Sequence, residues 1–161
     1  MANLLHRVSD NYYYWTGQIV PTDAIKDAAG KLFRPLDPLK ERPKNSSAMV
    51  RRFWVTRLGA DTDKDFSNGS NWRAEHEYEM RVVYPDILGH RDRERLIAAD
   101  RNDLIDQLRS GRNNLGFDAD NLLTDVGICL RERSSDEVEI DEEDQVAILR
   151  IVWRTIVKES T

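Results

Sequence analysis

The sequence has few of the residues from which catalytic and metal centres are usually built. Cys129 is the one cysteine among 161 residues, which excludes an intrachain disulfide, and its hydrophobic surroundings predict a buried side chain. The three histidines, His6, His76 and His90, lie on different predicted elements without a further ligand at the spacing that zinc requires, and His76 is expected in the core. We therefore predict no metal centre and no cofactor.

Motifs of phosphate binding and nucleophilic catalysis are also absent from the sequence. The eight glycines are scattered, with no Gly-Lys-Ser/Thr loop, and no Gly-x-Ser-x-Gly elbow occurs. Residues 1–15 contain no long apolar run, which predicts neither a secretory signal nor a membrane span. A chain of this kind is expected to fold in a reducing cytosol.

Charge is plentiful but unevenly placed. The net charge of −5 argues against a dedicated nucleic-acid binder, which would carry a basic footprint. Residues 1–60 hold ten basic and five acidic residues, a net of +5, which leaves −10 for the remainder. Residues 132–144 alone hold eight acids and one arginine, without the glycine that a calcium loop needs. We interpret this stretch as a flexible, charged hairpin tip that repels wrong partners or attracts a basic one.

The charge division predicts the residues of an interface. A basic first third and an acidic remainder can complement each other between neighbouring copies, or they can serve solubility alone. Arginine supplies 18 of the 24 basic residues, and its planar guanidinium suits interface pairing, although a GC-rich genome would also raise arginine. The candidate interface residues are Arg34, Arg42, Arg51, Arg52, Asp136, Glu137, Glu139, Asp141, Glu142, Glu143 and Asp144.

Residues 1–48 are predicted to form an N-terminal helical segment and an arm. Apolar residues at helical spacing predict a helix over residues 2–14, and Thr22 can cap a second one over residues 22–32. The aromatic cluster at residues 12–15 is expected to pack in a core or an interface. Prolines 35, 38 and 43 preclude a regular helix or central strand, so residues 34–48 are interpreted as an extended surface arm that reaches a neighbouring subunit.

Residues 49–161 are predicted to form the core domain, in the order β-β-α-β-β. The second strand alternates apolar and polar residues, which indicates one buried and one wet face, and the last strand is apolar on both faces, which indicates a central position. A polar loop is expected over residues 59–71 and an acidic turn over residues 134–144. The fold class is α+β, with one main helix on a mostly antiparallel four-stranded sheet. Strands are predicted over residues 50–58, 75–84, 122–131 and 146–157, and the main helix over residues 91–110.

A carboxylate-dependent nuclease is the enzymatic alternative. Pro85-Asp86 after a strand resembles the start of one nuclease signature, which requires a carboxylate–x–Lys on the next strand to hold a metal ion. Asp125 is followed by Val126 and Gly127, with no lysine. We therefore expect no enzymatic activity; metal-dependent DNA cleavage that Asp86→Ala abolishes would contradict this expectation.

Four runs of residues carry a resemblance to a known family. They are RFWV at residues 52–55, EYEMRVVYP at residues 77–85, the Asp-rich helix DRNDLI at residues 100–105 and ILRIVWR at residues 148–154. In this order they resemble the tail terminator and neck proteins of long-tailed bacteriophages. The resemblance covers residues 50–157 and has no equivalent for residues 1–48.

The resemblance implies a structural protein of the virion tail or neck, assembled in the host cytoplasm. It implies a small α+β subunit that forms a homo-oligomeric ring, commonly of six copies, on the last ring of the tail tube. The implied partners are further copies of the chain, the tail tube protein and the head connector or neck protein; DNA passes through the lumen without specific binding, and no membrane is involved. A head-completion or connector-adaptor protein is the alternative in the same class, and an intracellular adaptor unrelated to phage is another.

Overall fold

A mixed sheet occupies the centre of the molecule. The computed structural model describes residues 4–23, 32–58, 64–68, 71–109 and 126–160. The strands follow the order β1-β2-β4-β6-β5, and β3 pairs with β4 at the edge of β4 that also carries β2. Strand β1 is parallel to β2, and the other pairs are antiparallel. The elements are α1 (Leu4–Gln18), β1 (Arg34–Pro35), β2 (Arg52–Leu58), β3 (Lys64–Asn68), β4 (Asn71–Pro85), α2 (His90–Leu108), β5 (Val126–Asp141) and β6 (Val146–Ser160).

The predicted α+β class is confirmed, and so is the central position of the strand that is apolar on both faces. Strand β6 lies between β4 and β5. The predicted wet face of β4 is largely covered, which corrects the expectation of a half-buried strand: Glu79 is buried, and Val83 packs against Leu36. Within the described residues, the sheet has six strands rather than the four that were predicted. The extra strands are β1, within the proline-containing arm, and β3, which pairs with the first residues of β4 where the sequence predicted a loop. The predicted second helix, over residues 22–32, lies mostly outside the described residues.

The acidic stretch is not a flexible hairpin tip, which corrects the interpretation from composition. Strand β5 continues to Asp141, and the turn to β6 comprises only residues 142–145. From residue 135 to residue 141 the pairing of β5 with β6 is regular. The reason lies in the pattern around Val138 and Ile140, where apolar and acidic residues alternate as in a strand with two unlike faces.

Both helices cover one face of the sheet, called here the helix side. The largest fully buried side chains there include Tyr12 of α1, Tyr78 of β4 and Trp153 of β6, within one hydrophobic cluster. The opposite face, called here the outer face, has a smaller cluster in which Leu36 of the arm, together with Met49, packs on Val83, Val146 and Ile148. The domain boundary at residue 48 stays a prediction, although α1 and the arm both contribute to these two clusters.

Candidate assembly surface

The basic arm and the acidic turn, predicted to meet between copies, meet within one chain. The Arg42 guanidinium donates to Asp144 at 2.8 Å and lies 3.4 Å from Glu143. Three residues on, Asn45 Oδ1 accepts a hydrogen bond of 2.6 Å from the Ile87 amide, which belongs to the turn that follows β4. These contacts hold the middle of the arm across one end of the sheet. The pKa of Arg42 is raised by the hydrogen bond to Asp144, and the fully exposed position of the guanidinium limits what the pair contributes to stability.

Arg51, predicted as an interface residue, lies in the core. Its side chain is 2% exposed and forms a bidentate salt bridge with Asp100 of α2, with N–O distances of 2.8 and 2.9 Å. The Tyr84 hydroxyl donates to the same carboxylate at 2.8 Å, and Arg51 also donates to the Asp23 carbonyl at 2.8 Å. Burial raises the Asp100 pKa, and the hydrogen bonds from Arg51 and Tyr84 oppose that rise. The Arg51 side chain therefore joins α2 to the chain after α1 from inside the molecule.

Of the two other candidates in the basic third, Arg34 joins the two ends of the arm and Arg52 holds the arm to the sheet. Arg34 donates to the Ala48 carbonyl at 3.2 Å, and Arg52 donates through two nitrogens to the Pro35 carbonyl at 3.1 and 2.8 Å. Arg34 itself is exposed on the surface. Of the four arginines predicted for an interface, three are therefore engaged with their own arm or its turn contacts, and one is in the core.

The candidate acids of β5 belong to a charged network on the outer face. Arg150 of β6 donates to Glu79 at 2.8 Å and to Glu137 at 3.1 Å. Arg81 of β4 donates to Glu79 and, at 2.9 Å, to Glu139. Burial alone would raise the Glu79 pKa, but the hydrogen bonds from Arg81 and Arg150 outweigh it and hold the pKa below its ordinary value. Among the described residues, three carboxylates thus share two guanidinium groups.

The Asp136 side chain lies on the helix side of the sheet, where it links β5 to α2. Arg101 donates to its two carboxylate oxygens at 2.6 and 3.0 Å, and Arg133 donates as well. The hydrogen bond from Arg101 is the main cause of an Asp136 pKa below the ordinary value; partial burial opposes it and Arg133 supports it. Asp136 is thus a fold-stabilising residue on the helix side.

Asp136→Asn should weaken the fold at neutral pH and not in acid. A carboxylate whose pKa is lower in the folded than in the unfolded chain stabilises the fold above its unfolded pKa, and this contribution is lost as the pH falls through the folded pKa. We expect a loss of about 1 kcal/mol at pH 7 that shrinks as the pH falls below the ordinary pKa of an aspartate, measured by urea unfolding. Glu142→Gln, in the exposed turn, is the matched control and should leave the free energy of unfolding unchanged both at pH 7 and in acid. A loss that stays the same at both pH values would contradict the ion-pair assignment.

The two edges of the sheet differ in how they are protected. On β2, the Arg51 and Phe53 carbonyls accept hydrogen bonds from the arm at 3.2 and 2.7 Å. Further along, the Tyr13 hydroxyl of α1 accepts from the Val55 amide at 2.9 Å and donates to the Val55 carbonyl at 3.4 Å. A side chain thereby occupies the position of a neighbouring strand. Strand β2 is thus closed against further pairing along these residues.

Strand β5 lies at the other edge and is open. Within the described part of the chain, no strand pairs with its outer edge over the full 16 residues. Val138 is 47% and Ile140 59% exposed, which is unusual for large apolar side chains on a regular strand. Charge-based reasoning missed both residues because it treated their segment as a turn; the alternation of Val138 and Ile140 with acids was the signal that could have found them.

The described residues offer little to the nuclease alternative. Asp86, in the short 3-10 turn after β4, pairs with Arg93 of α2. No group of three His, Cys, Asp or Glu side chains that suits a metal ion occurs among the described residues, which do not include Asp125. Cys129 lies at a bulge of β5, and its side chain is outside the described set. Neither described helix is long and apolar enough to span a membrane.

Comparisons with known proteins found likeness to solved structures and no relative by sequence. No protein-family model matches the chain, and no curated protein does. Eleven chains of solved structures match. One belongs to a structure titled "Virion of native gene transfer agent (GTA) particle", with 18% sequence identity and a TM-score of 0.43 over 65% of this chain and 68% of that chain. A likeness at this level does not indicate a function.

Proposed function

We propose that this chain is a structural subunit of a phage virion, of the tail terminator type. In this proposal it forms a homo-oligomeric ring, of six copies, that caps the tail tube and joins the tail to the head connector. Its partners are further copies of itself, the tube protein and the connector or neck protein. It catalyses no reaction, and DNA passes through the lumen unbound because the acidic protein repels phosphates.

The observation that carries the proposal is the open edge of β5. An edge strand without a neighbouring strand is a template for pairing with another chain, and proteins that act alone cover such an edge or interrupt it. Among the described residues, the arm and Tyr13 cover β2, and no strand pairs with the outer edge of β5. Selective protection of one edge supports an assembly role in which the other edge is used.

Charge supports a head-to-tail arrangement. A closed ring of identical subunits needs two different patches on each copy that complement each other. The exposed basic residues of the arm, Arg34 and Lys40, form one candidate patch, and the exposed turn acids Glu142 and Glu143 form the other. The hydrogen bond between Arg42 and Asp144 removes those two residues from the patches, whereas Glu143, 3.4 Å from Arg42, stays 81% exposed.

Reversing the turn charges should impair assembly more than folding. We expect Glu142→Lys combined with Glu143→Lys to reduce ring formation at least about tenfold in protein concentration, since like charges would then face each other across the ring contact. The thermal unfolding midpoint should move by less than about 3 °C, because both side chains are exposed. Mass photometry and thermal unfolding measure the two quantities. The matched control is Asp37→Asn on the arm turn, which should leave ring formation intact.

Pull-down experiments with the tube protein and the connector protein, each used alone, test where the ring sits in the virion. The tail terminator type predicts binding to tube protein and to the connector side. Binding to the connector alone would replace it with the connector-adaptor alternative. If the double charge reversal lowers the unfolding midpoint as much as it lowers assembly, the turn acids are structural and the proposed patch is wrong.

A further inference from the structure

One contact in the turn before β6 shows to which side the backbone groups of residues 137–140 of β5 form hydrogen bonds. The Asp86 amide donates to the Gln145 carbonyl at 2.9 Å, so residue 145 bonds toward β4. Since bonding direction alternates along an antiparallel strand, Ile148 and Arg150 of β6 bond toward β5. Their partners, Glu139 and Glu137, therefore bond toward β6. The amides and carbonyls of Val138 and Ile140 consequently point out from the open edge.

The same alternation places the side chains that would flank an added strand. Val138 and Ile140 pair with Leu149 and Ala147, so they lie on the helix side. Glu137 and Glu139 lie on the outer face and remain 56% and 40% exposed within their ion pairs. An added strand would meet apolar side chains on one of its faces and carboxylates on the other.

Among the described residues, the ion-pair network on the outer face of this edge has one carboxylate more than it has guanidinium groups. Glu79, Glu137 and Glu139 share two guanidinium groups, so the network carries a net negative charge at the strand where a partner would pair. A second copy of β5 is a poor occupant, because it would place carboxylates opposite carboxylates. A basic residue on an incoming strand would complete the network.

The geometry points to a binding site for an extended segment of a partner protein in which apolar and basic residues alternate. We infer that this segment adds to the outer edge of β5 as an antiparallel strand, with apolar side chains beside Val138 and Ile140 and basic side chains beside Glu137 and Glu139. The inference rests on the assembly role proposed above, and it names the chemistry of one partner of that assembly.

Synthetic peptides test the site directly. The probe is a fluorescently labelled seven-residue peptide that alternates valine and lysine, with one version in which glutamate replaces lysine. We expect the lysine peptide to bind with at least about tenfold higher affinity in fluorescence anisotropy, a difference that falls as salt is raised. Equal binding of the two peptides would overturn the charge argument and with it the site.

Methylated peptides separate strand addition from charge attraction alone. In an antiparallel pair, the residues opposite Val138 and Ile140 are the ones whose amides face β5. N-methylation of the valines should therefore abolish binding, whereas N-methylation of the lysines should leave it within about threefold. Binding that is unaffected by both modifications would overturn strand addition. This comparison uses the unmodified protein, so it does not depend on whether a variant folds.

Val138→Pro tests the same edge from the side of the protein. Proline fits an edge strand where its missing amide faces solvent, so the fold should be retained while peptide affinity falls at least about tenfold. Val138→Thr keeps the amide and is the matched control, with affinity within about threefold. Retained peptide affinity in a folded Val138→Pro variant would overturn the site.

Ring formation distinguishes this inference from the proposed function. If the Val138→Pro variant still forms rings but no longer binds the peptide, the edge of β5 is a site for a partner protein, as inferred. If wild-type protein binds the peptide and forms no ring, the proposed function fails and the peptide site stands. Loss of rings in Val138→Pro would overturn the inference, because the edge would then be a contact between copies.

Discussion

Arg51→Ala should lower the free energy of unfolding by about 3–5 kcal/mol at pH 7, the range found when one partner of a buried ion pair is removed. The substitution leaves the Asp100 carboxylate fully buried, with the Tyr84 hydroxyl as its neighbour. It also removes the donor to the Asp23 carbonyl that fixes the chain after α1. Urea unfolding followed by tryptophan fluorescence measures the change.

The adjacent residue supplies the control for this prediction. Arg52→Ala removes an equally long cation that bonds only an exposed arm carbonyl, and should cost less than about 1 kcal/mol. The loss in Arg51→Ala should shrink in acid: burial raises the Asp100 pKa, and a protonated Asp100 needs no counter-ion. The double variant Arg51→Met with Asp100→Leu should recover part of the loss. Equal losses for Arg51→Ala and Arg52→Ala would contradict the buried pair.

Tyr12→Ala should cost about 3–5 kcal/mol, as for other large aromatic side chains removed from a core. The Tyr12 ring is fully buried, 5.3 Å from the Tyr78 ring and 6.5 Å from the Trp153 ring, and its hydroxyl shares a 2.5 Å hydrogen bond with Thr155. Because α1 and the sheet share this core, we expect one cooperative transition at a lower urea concentration. Urea unfolding followed by circular dichroism and fluorescence measures it.

Tyr14→Ala is the matched control on the same helix. Tyr14 is half-buried, and the ring contact described for it is with its neighbour Trp15. Its removal should cost less than about 1.5 kcal/mol. If Tyr12→Ala melts α1 and leaves the sheet transition unchanged, then α1 is an appendage and the domain boundary predicted at residue 48 gains support.

Hydrophobic periodicity predicted the elements that carry a long apolar stripe in their own sequence. Strand β4 and helix α2 were found within a few residues because their apolar stripes are long, and β6 was placed centrally because both of its faces are apolar. Strand β3 was not predicted, since its short polar sequence has no periodic signal and its pairing with β4 determines its conformation.

The candidate surface was predicted less well, because charge alone does not show where a side chain points. Arg51 and Arg52 are adjacent residues of the same type. The ion-pair partner of Arg51 is Asp100, which lies 49 positions away, and no local sequence pattern indicates that pairing. The exposed edge depends on the strand order, which places β5 last, and on Tyr13, which closes β2 from 42 positions away. Long-range pairing of this kind is decided by topology.

The mass of the purified protein in solution, combined with negative-stain images of the protein mixed with purified phage tail tubes, tests the proposed assembly role most directly. We predict closed rings of one copy number that sit at the ends of the tubes and stop their growth. A protein that stays monomeric at all concentrations and binds neither tubes nor connectors would contradict the role.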